Sequence, residues 1–199
     1  MILPGLDVPL GTIWCVGRNY AEHAKELGNE VPEKPVVFLK PASSVVLSGG
    51  SLRLPPDSKR VDHEVELVVA RAGDRSLRAA VGIDFTARDI QTDLKKKGLP
   101  WVLAKGRRGF AALGPFAPMR LPSALTLSVN GTLKQNGTTA DMLFGPEKLL
   151  SWLDETYGLG PGDIVFTGTP AGVGPVAAGD RLEAALGETS RLTLTVAAT

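Results

Sequence analysis

The sequence predicts a fold of the α+β class, rich in short strands. Two observations carry that expectation. Short runs of valine, leucine and isoleucine outnumber the helical patterns, and 23 glycines with 15 prolines require many turns between them. No internal repeat or linker-like tract divides the chain, so residues 1-199 are expected to form a single catalytic domain.

The elements follow in order. "TIWCVG" (12–17) reads as a buried strand. "NYAEHAKELG" (19–28) reads as a short helix, with Asn19 as cap and Gly28 as terminator. "KPVVFLKP" (34–41) is a strand between prolines, and "HEVELVVA" (63–70) is a valine-rich strand. "AAVGIDF" (79–85) runs as a strand into the helix "TARDIQTDLKKKGLP" (86–100). There Thr86 and Asp89 suggest a capping box, and Lys95 to Lys97 suit the negative end of the helix dipole. "LTLSVNGTLKQNG" (125–137) is a hairpin turning at Asn130-Gly131. "GPEKLLSWLDETYG" (145–158) is the clearest amphipathic helix, with Pro146 in its first turn and Gly158 after its end. "GPGDIVFTGTPAGVG" (160–174) is turn, strand and glycine-rich loop, and "RLEAAL" and "RLTLTV" close the chain as strands.

Composition narrows the function. The formal charge is +1, which gives no basic face for nucleic acid or anionic membrane. No window approaches the ~18 apolar residues of a membrane span. The N-terminal "MILPGLDVPLG" lacks the pattern of a signal peptide. Cys15 is the single cysteine and has no intramolecular partner, which fits a reducing, cytoplasmic setting.

The chemistry begins at "HEVELVV". Residues i and i+2 of a strand share a face, so Glu64 and Glu66 stand side by side, with Val65 and Leu67 turned away. Two buried carboxylates repel, and a hard divalent cation such as Mg²⁺, Mn²⁺ or Ca²⁺ removes that cost. The competing reading is an exposed strand face paired with lysines. Asp84, where a strand meets a helix, is either a third ligand or an aid to helix capping. His63 faces opposite to Glu64 and is not a ligand. His23 and Glu26, three apart on a helix, either form an acid/base pair or belong to an ordinary charged face. The loop 168–174 lacks the lysine of a P-loop, but its amides beside Thr169 suit a carboxylate; otherwise it is a tight turn. Arg107 and Arg108 either grip an anionic end of the substrate or are solvated, and the second reading is preferred.

Seven stretches resemble the fumarylacetoacetate hydrolase family, especially its short acylpyruvate hydrolase and oxaloacetate decarboxylase branch. They are "VGRNYAEHAKE", "PVVFLKP", "HEVELVV", "DFTARDIQTDLKKKGLPW", "LAK", "VNGTLKQNGTTADMLF" and "PGDIVFTGTPAGVGP", in family order over nearly the whole chain. The resemblance implies a mixed β-sandwich roll with a few short helices, a homodimer, and Mg²⁺ or Mn²⁺ held by Glu64, Glu66 and Asp84. It implies catalytic roles for His23, Glu26 and Lys105, and substrate contacts for Gln91 and Thr169. The expected activity is hydrolysis of the C–C bond of acylpyruvates through a pyruvate enolate stabilised by the metal. Oxaloacetate decarboxylation, and the isomerase and decarboxylase steps on 2-hydroxyhepta-2,4-diene-1,7-dioate and 5-oxopent-3-ene-1,2,5-tricarboxylate in aromatic catabolism, are the alternatives within the family. A metal- and carboxylate-binding protein without catalysis is the alternative outside it. The partner implied is a small 2-oxo acid.

Overall fold

The structure is a computed structural model and describes residues 1–26 and 32–197. In chain order the strands are β1 (Ile13–Gly17), β2 (Val36–Lys40), β3 (Val45–Leu47), β4 (Ser51–Arg53), β5 (Val61–His63), β6 (Val65–Arg71), β7 (Leu77–Asp84) and β8 (Thr86–Ala87). They continue as β9 (Ala111–Leu113), β10 (Ala117–Pro118), β11 (Ala124–Val129), β12 (Thr132–Thr138), β13 (Ile164–Phe166), β14 (Gly174–Pro175), β15 (Arg181–Leu186) and β16 (Ser190–Ala197). The helices are α1 (Ala21–Glu26), α2 (Arg88–Lys96), α3 (Val102–Lys105) and α4 (Pro146–Tyr157). None of the described helices is long and apolar enough to cross a membrane.

An eight-stranded mixed sheet runs β2-β1-β13-β6-β7-β9-β3, with β10 also on β7. A five-stranded sheet runs β12-β11-β15-β16-β4, and a small sheet joins β14, β5 and β8. Strand β6 explains how two cores share one sheet. Its odd positions Val65, Leu67 and Val69 pack into the core that includes Leu125, Leu127, Leu182 and Leu194 of the second sheet. Its even positions Val68 and Ala70 pack with Ile13, Cys15, Ala80 and Phe166. A strand buried on both faces reads as a continuous apolar run, which is why "VELVVA" shows no alternation. The Asn130-Gly131 turn has both residues at positive φ, as the tight hairpin requires. Helix α4 buries Leu149, Leu150 and Leu153 and starts with Pro146, as predicted.

Three local expectations are corrected. The strand predicted over 63–70 is interrupted at Glu64, so β5 and β6 belong to different sheets. Asn19 does not cap α1: its amide donates to Phe144 O (3.0 Å) and Thr167 O (2.7 Å) and its carbonyl accepts from Phe144 N, tying three segments together. Thr86 and Asp89 form no capping box. Helix α2 starts two residues later than expected. Thr86 Oγ1 donates to Glu64 Oε1 instead, and Asp89 accepts from Ser58 and Lys59. The predicted helix end at Gly28 lies outside the described residues.

Candidate metal centre and acid/base pair

The carboxylates are brought together by the ladder between β6 and β7. Its register sets Val65 against Ile83 and Glu66 against Gly82, and beyond the strand end Asp84 N donates to Glu64 O at 2.8 Å. Residues opposite each other in an antiparallel pair lie side by side. Asp84 therefore stands next to Glu64, and Glu66 follows on the same face. Glycine at 82 is required by close approach: a Cβ there would meet Val68 Cγ2 at 2.6 Å and Phe166 Cε1 at 2.7 Å. Oxygens of Glu64, Glu66 and Asp84 all lie within 4.8 Å of one another, and all three residues are buried.

The surrounding cations neutralise this cluster unequally. Lys105, at the end of α3, donates to Glu64 Oε2 (2.8 Å) and Asp84 Oδ2 (2.6 Å). Arg88 bonds Glu64 Oε1, Asp62 Oδ2 (2.8 Å) and Gln91 Oε1 (2.8 Å). Burial opposes charge on Glu64, yet Lys105 and Arg88 hold its carboxyl well below the usual range. Burial likewise opposes the Lys105 ammonium, but Asp84 and Glu64 hold its pKa above the usual lysine value. Glu66 has no ion pair among the described residues and accepts one hydrogen bond, from Gly168 N at 2.7 Å. Its own burial, then Asp84 and Glu64, push its pKa well above the ordinary glutamate value.

Lys40 adds a cation beneath the cluster. Its ammonium donates to the carbonyls of Phe85 (3.3 Å), Phe110 (2.9 Å) and Lys105. It also lies 2.7 Å from Asp84 Oδ1, but that oxygen accepts no hydrogen bond. Three donors aimed at three carbonyls explain how contact and absent hydrogen bond coexist. A buried glutamate with no ion pair among the described residues, packed against two further carboxylates, fits a hard divalent cation. The all-oxygen donor set points the same way.

The acid/base candidates face this cluster across one cleft. His23, Gln91, Lys105 and Thr169 line it together with the three carboxylates. His23 is buried, and its Nδ1 lies 3.1 Å from Glu26 Oε2. Gly172 N donates to the other Glu26 oxygen at 3.2 Å, which fastens α1 to the glycine-rich loop. Arg107 takes no part in the cleft; it is paired with Asp57.

Residues without a predicted role complete the site. Gln135 of β12 is fully buried. Its Oε1 accepts from Val65 N (2.9 Å) and contacts His63 Nδ1 (3.0 Å), while its amide donates to Thr169 Oγ1 (2.8 Å) and Pro170 O (3.0 Å). It clamps the Glu64 segment to the Thr169 loop. His63 faces this clamp and not the carboxylates, as expected. Lys40 could have been suspected as the lone charge ending the apolar strand "VVFLK". Gln135 carried no such signal, because its partners are 34 to 72 residues away.

Comparison with known proteins agrees with the fold. The model of the family described as fumarylacetoacetate (FAA) hydrolase C-terminal matches residues 12–197. A mitochondrial oxaloacetate tautomerase of Arabidopsis thaliana is 43% identical, with 87% of this chain and 85% of the relative aligned. An oxaloacetate tautomerase of Escherichia coli is 41% identical, with 89% of each chain aligned. The crystal structure of fumarylpyruvate hydrolase from Pseudomonas aeruginosa, in complex with Mn²⁺ and pyruvate, superposes with a TM-score of 0.90 at 32% identity. That match covers 100% of this chain and 95% of the other.

Proposed function

This chain belongs to the fumarylacetoacetate hydrolase family of enzymes, and from that premise we propose that it breaks, or moves a proton beside, the C3–C4 bond of a small 2-oxo acid. The observation that carries the reading is the placement of His23, with Glu26 behind it, in the same cleft as three buried carboxylates.

Glu64, Glu66 and Asp84 would hold Mg²⁺ or Mn²⁺. When bound, the ion supplies Lewis-acid polarisation of the 2-oxo end and stabilises negative charge there. Thr169 accepts a hydrogen bond from Gln135 and directs its own proton at Pro170 O over a long 3.4 Å contact, which a substrate carboxylate would replace as acceptor. Lys105 adds positive charge beside the same end. His23 Nδ1 is occupied by Glu26, which leaves Nε2 to take a proton, and the Glu26 carboxylate stabilises the imidazolium that results.

In an acylpyruvate, His23 takes a proton from water as the oxygen adds to C4. The C3–C4 bond breaks, its electron pair passes to pyruvate enolate, and the proton held by His23 goes to C3. The products are a carboxylic acid and pyruvate. A second reading is favoured by the Arabidopsis and Escherichia relatives, both oxaloacetate tautomerases: His23 moves a proton between C3 and the 2-oxo oxygen of oxaloacetate. In a third, C4 of oxaloacetate leaves as CO₂, its bonding pair passes to pyruvate enolate, and C3 takes up a proton.

Mg²⁺-loaded protein with acetylpyruvate should show loss of the diketo absorbance. Oxaloacetate in parallel reports enol decay and pyruvate formation. Bound metal with no turnover of either substrate would instead support a non-catalytic metal- and carboxylate-binding protein.

A further inference from the structure

Strand β12 lies at the edge of the five-stranded sheet, and Gln135 is its single buried residue. A β-bulge puts it there. Leu127 of β11 pairs with Gln135 and Ser128 with Leu133, so Lys134 is an extra residue between the two pairs. Opposed residues share a face. Gln135 therefore joins Leu127 on the inner side, while Leu133 is turned outward and is 54% exposed. The strand gives a leucine to solvent and an amide to the interior, the reverse of what burial favours. It also packs closely on the loop after β13. A Cβ at Gly172 would meet Lys134 O at 2.3 Å, and one at Gly137 would meet Pro170 Cβ at 2.6 Å.

The partners of Gln135 decide which way round its amide sits. Val65 N can only donate and Pro170 O can only accept, so the amide oxygen faces β6 and the nitrogen faces the loop. Every position on the amide is then used. Oε1 accepts from Val65 N and His63 Nδ1, and Nε2 donates to Thr169 Oγ1 and Pro170 O. The Thr169 oxygen is thereby fixed as an acceptor toward Gln135, and its proton must point elsewhere. Its acceptor, Pro170 O, is 3.4 Å away and already receives the Gln135 amide. The hydroxyl is held as a donor whose present bond is weak. The other end of the same amide bonds the residues on either side of Glu64. Thr169 lines the cleft, and Gln135 stands behind it.

We propose that Gln135 is a positioning residue: it presents the Thr169 hydroxyl as a donor to the substrate carboxylate and fixes the distance of that hydroxyl from the Glu64 segment, without touching substrate. This role rests on the 2-oxo acid reading above and deepens it.

Pyruvate, which has the 2-oxo acid end and no C3–C4 bond to break, is the probe. It is titrated calorimetrically, at saturating Mg²⁺, into wild type, Gln135→Met, Thr169→Val and the double variant. Each single change should weaken pyruvate binding about tenfold, as expected for a lost hydrogen bond to a charged group. The double variant should be weaker than Thr169→Val alone by no more than about twofold, because without the hydroxyl Gln135 has nothing to present. A merely structural glutamine would instead give losses that multiply. Multiplied losses, or Gln135→Met binding pyruvate as wild type does, overturn the role and leave the 2-oxo acid reading intact. A second measurement stands even where Gln135→Met fails to fold. In metal-free protein, Thr169→Val should shift the Gln135 side-chain amide proton upfield in the NMR spectrum. In Mg²⁺-loaded wild type, pyruvate should shift it downfield, because a hydroxyl that donates to a carboxylate becomes a stronger acceptor. A resonance that stays in place at pyruvate saturation overturns the role. Failure of Mg²⁺-loaded wild type to bind pyruvate removes the 2-oxo acid reading and the role with it.

Discussion

At the floor of the cleft, Glu64, Glu66 and Asp84 are set by the paired strands β6 and β7, with buried cations beneath and beside them. At the mouth, His23 and Glu26 stand on α1, of which Ala21–Glu26 is described. Among the described residues that helix is tied down by Gly172 N to Glu26, the bridge of Tyr20 to Met142, and the Asn19 cross-links. The floor gains precision from a ladder whose register cannot slip without turning every side chain to the other core. The mouth is joined to the rest by separate side-chain and loop contacts instead of a strand ladder. On the reading proposed above, binding the ion and moving the proton fall to regions held in different ways.

That contrast can be broken by experiment. Glu66→Gln has the largest expected effect. Metal binding and turnover should be lost together, while urea unfolding of the metal-free variant shows stability at or above wild type, because an unneutralised buried acid is removed. Full activity with normal metal affinity would contradict the assignment of the floor. Lys40→Met comes next. It strips a buried partner from Asp84 and leaves three carbonyls without a donor, and should cost about 3–5 kcal/mol in urea unfolding. An unchanged midpoint would mean the network beneath the site contributes little. His23→Ala should lower hydrolytic kcat by about 10²–10⁴-fold and leave metal affinity, by titration, unchanged. Loss of metal in this variant would erase the distinction between floor and mouth. The smallest effect belongs to the surface pair of Arg71 and Asp154, 3.0 Å apart and well exposed. Arg71→Ala should shift unfolding by less than about 1 kcal/mol and leave turnover intact.

The sequence made some of these features legible and hid others, for physical reasons. The period-2 spacing of Glu64 and Glu66 predicts a shared face because that geometry is local. Asp84 depended on the β6–β7 register, which spacing alone left open against helix capping. The hairpin at Asn130-Gly131 and helix α4 were legible because their signals lie within a few adjacent residues. The capping roles expected of Asn19 and Thr86 failed because tertiary partners, Phe144, Thr167 and Glu64, outbid the local backbone for their polar groups. Gln135 was invisible for the same reason: a buried amide in a polar-looking hairpin declares its purpose only when the distant Thr169 loop is folded against it.

Lys40 has a consequence for the order in which the protein is assembled. With its ammonium fixed on three carbonyls next to Asp84, the chain contains a permanent internal counterion. Folding therefore need not wait for a metal to quench the repulsion of the acidic cluster. The apoprotein can reach its final shape first and draw its ion from solution afterwards, as a receptor formed in advance.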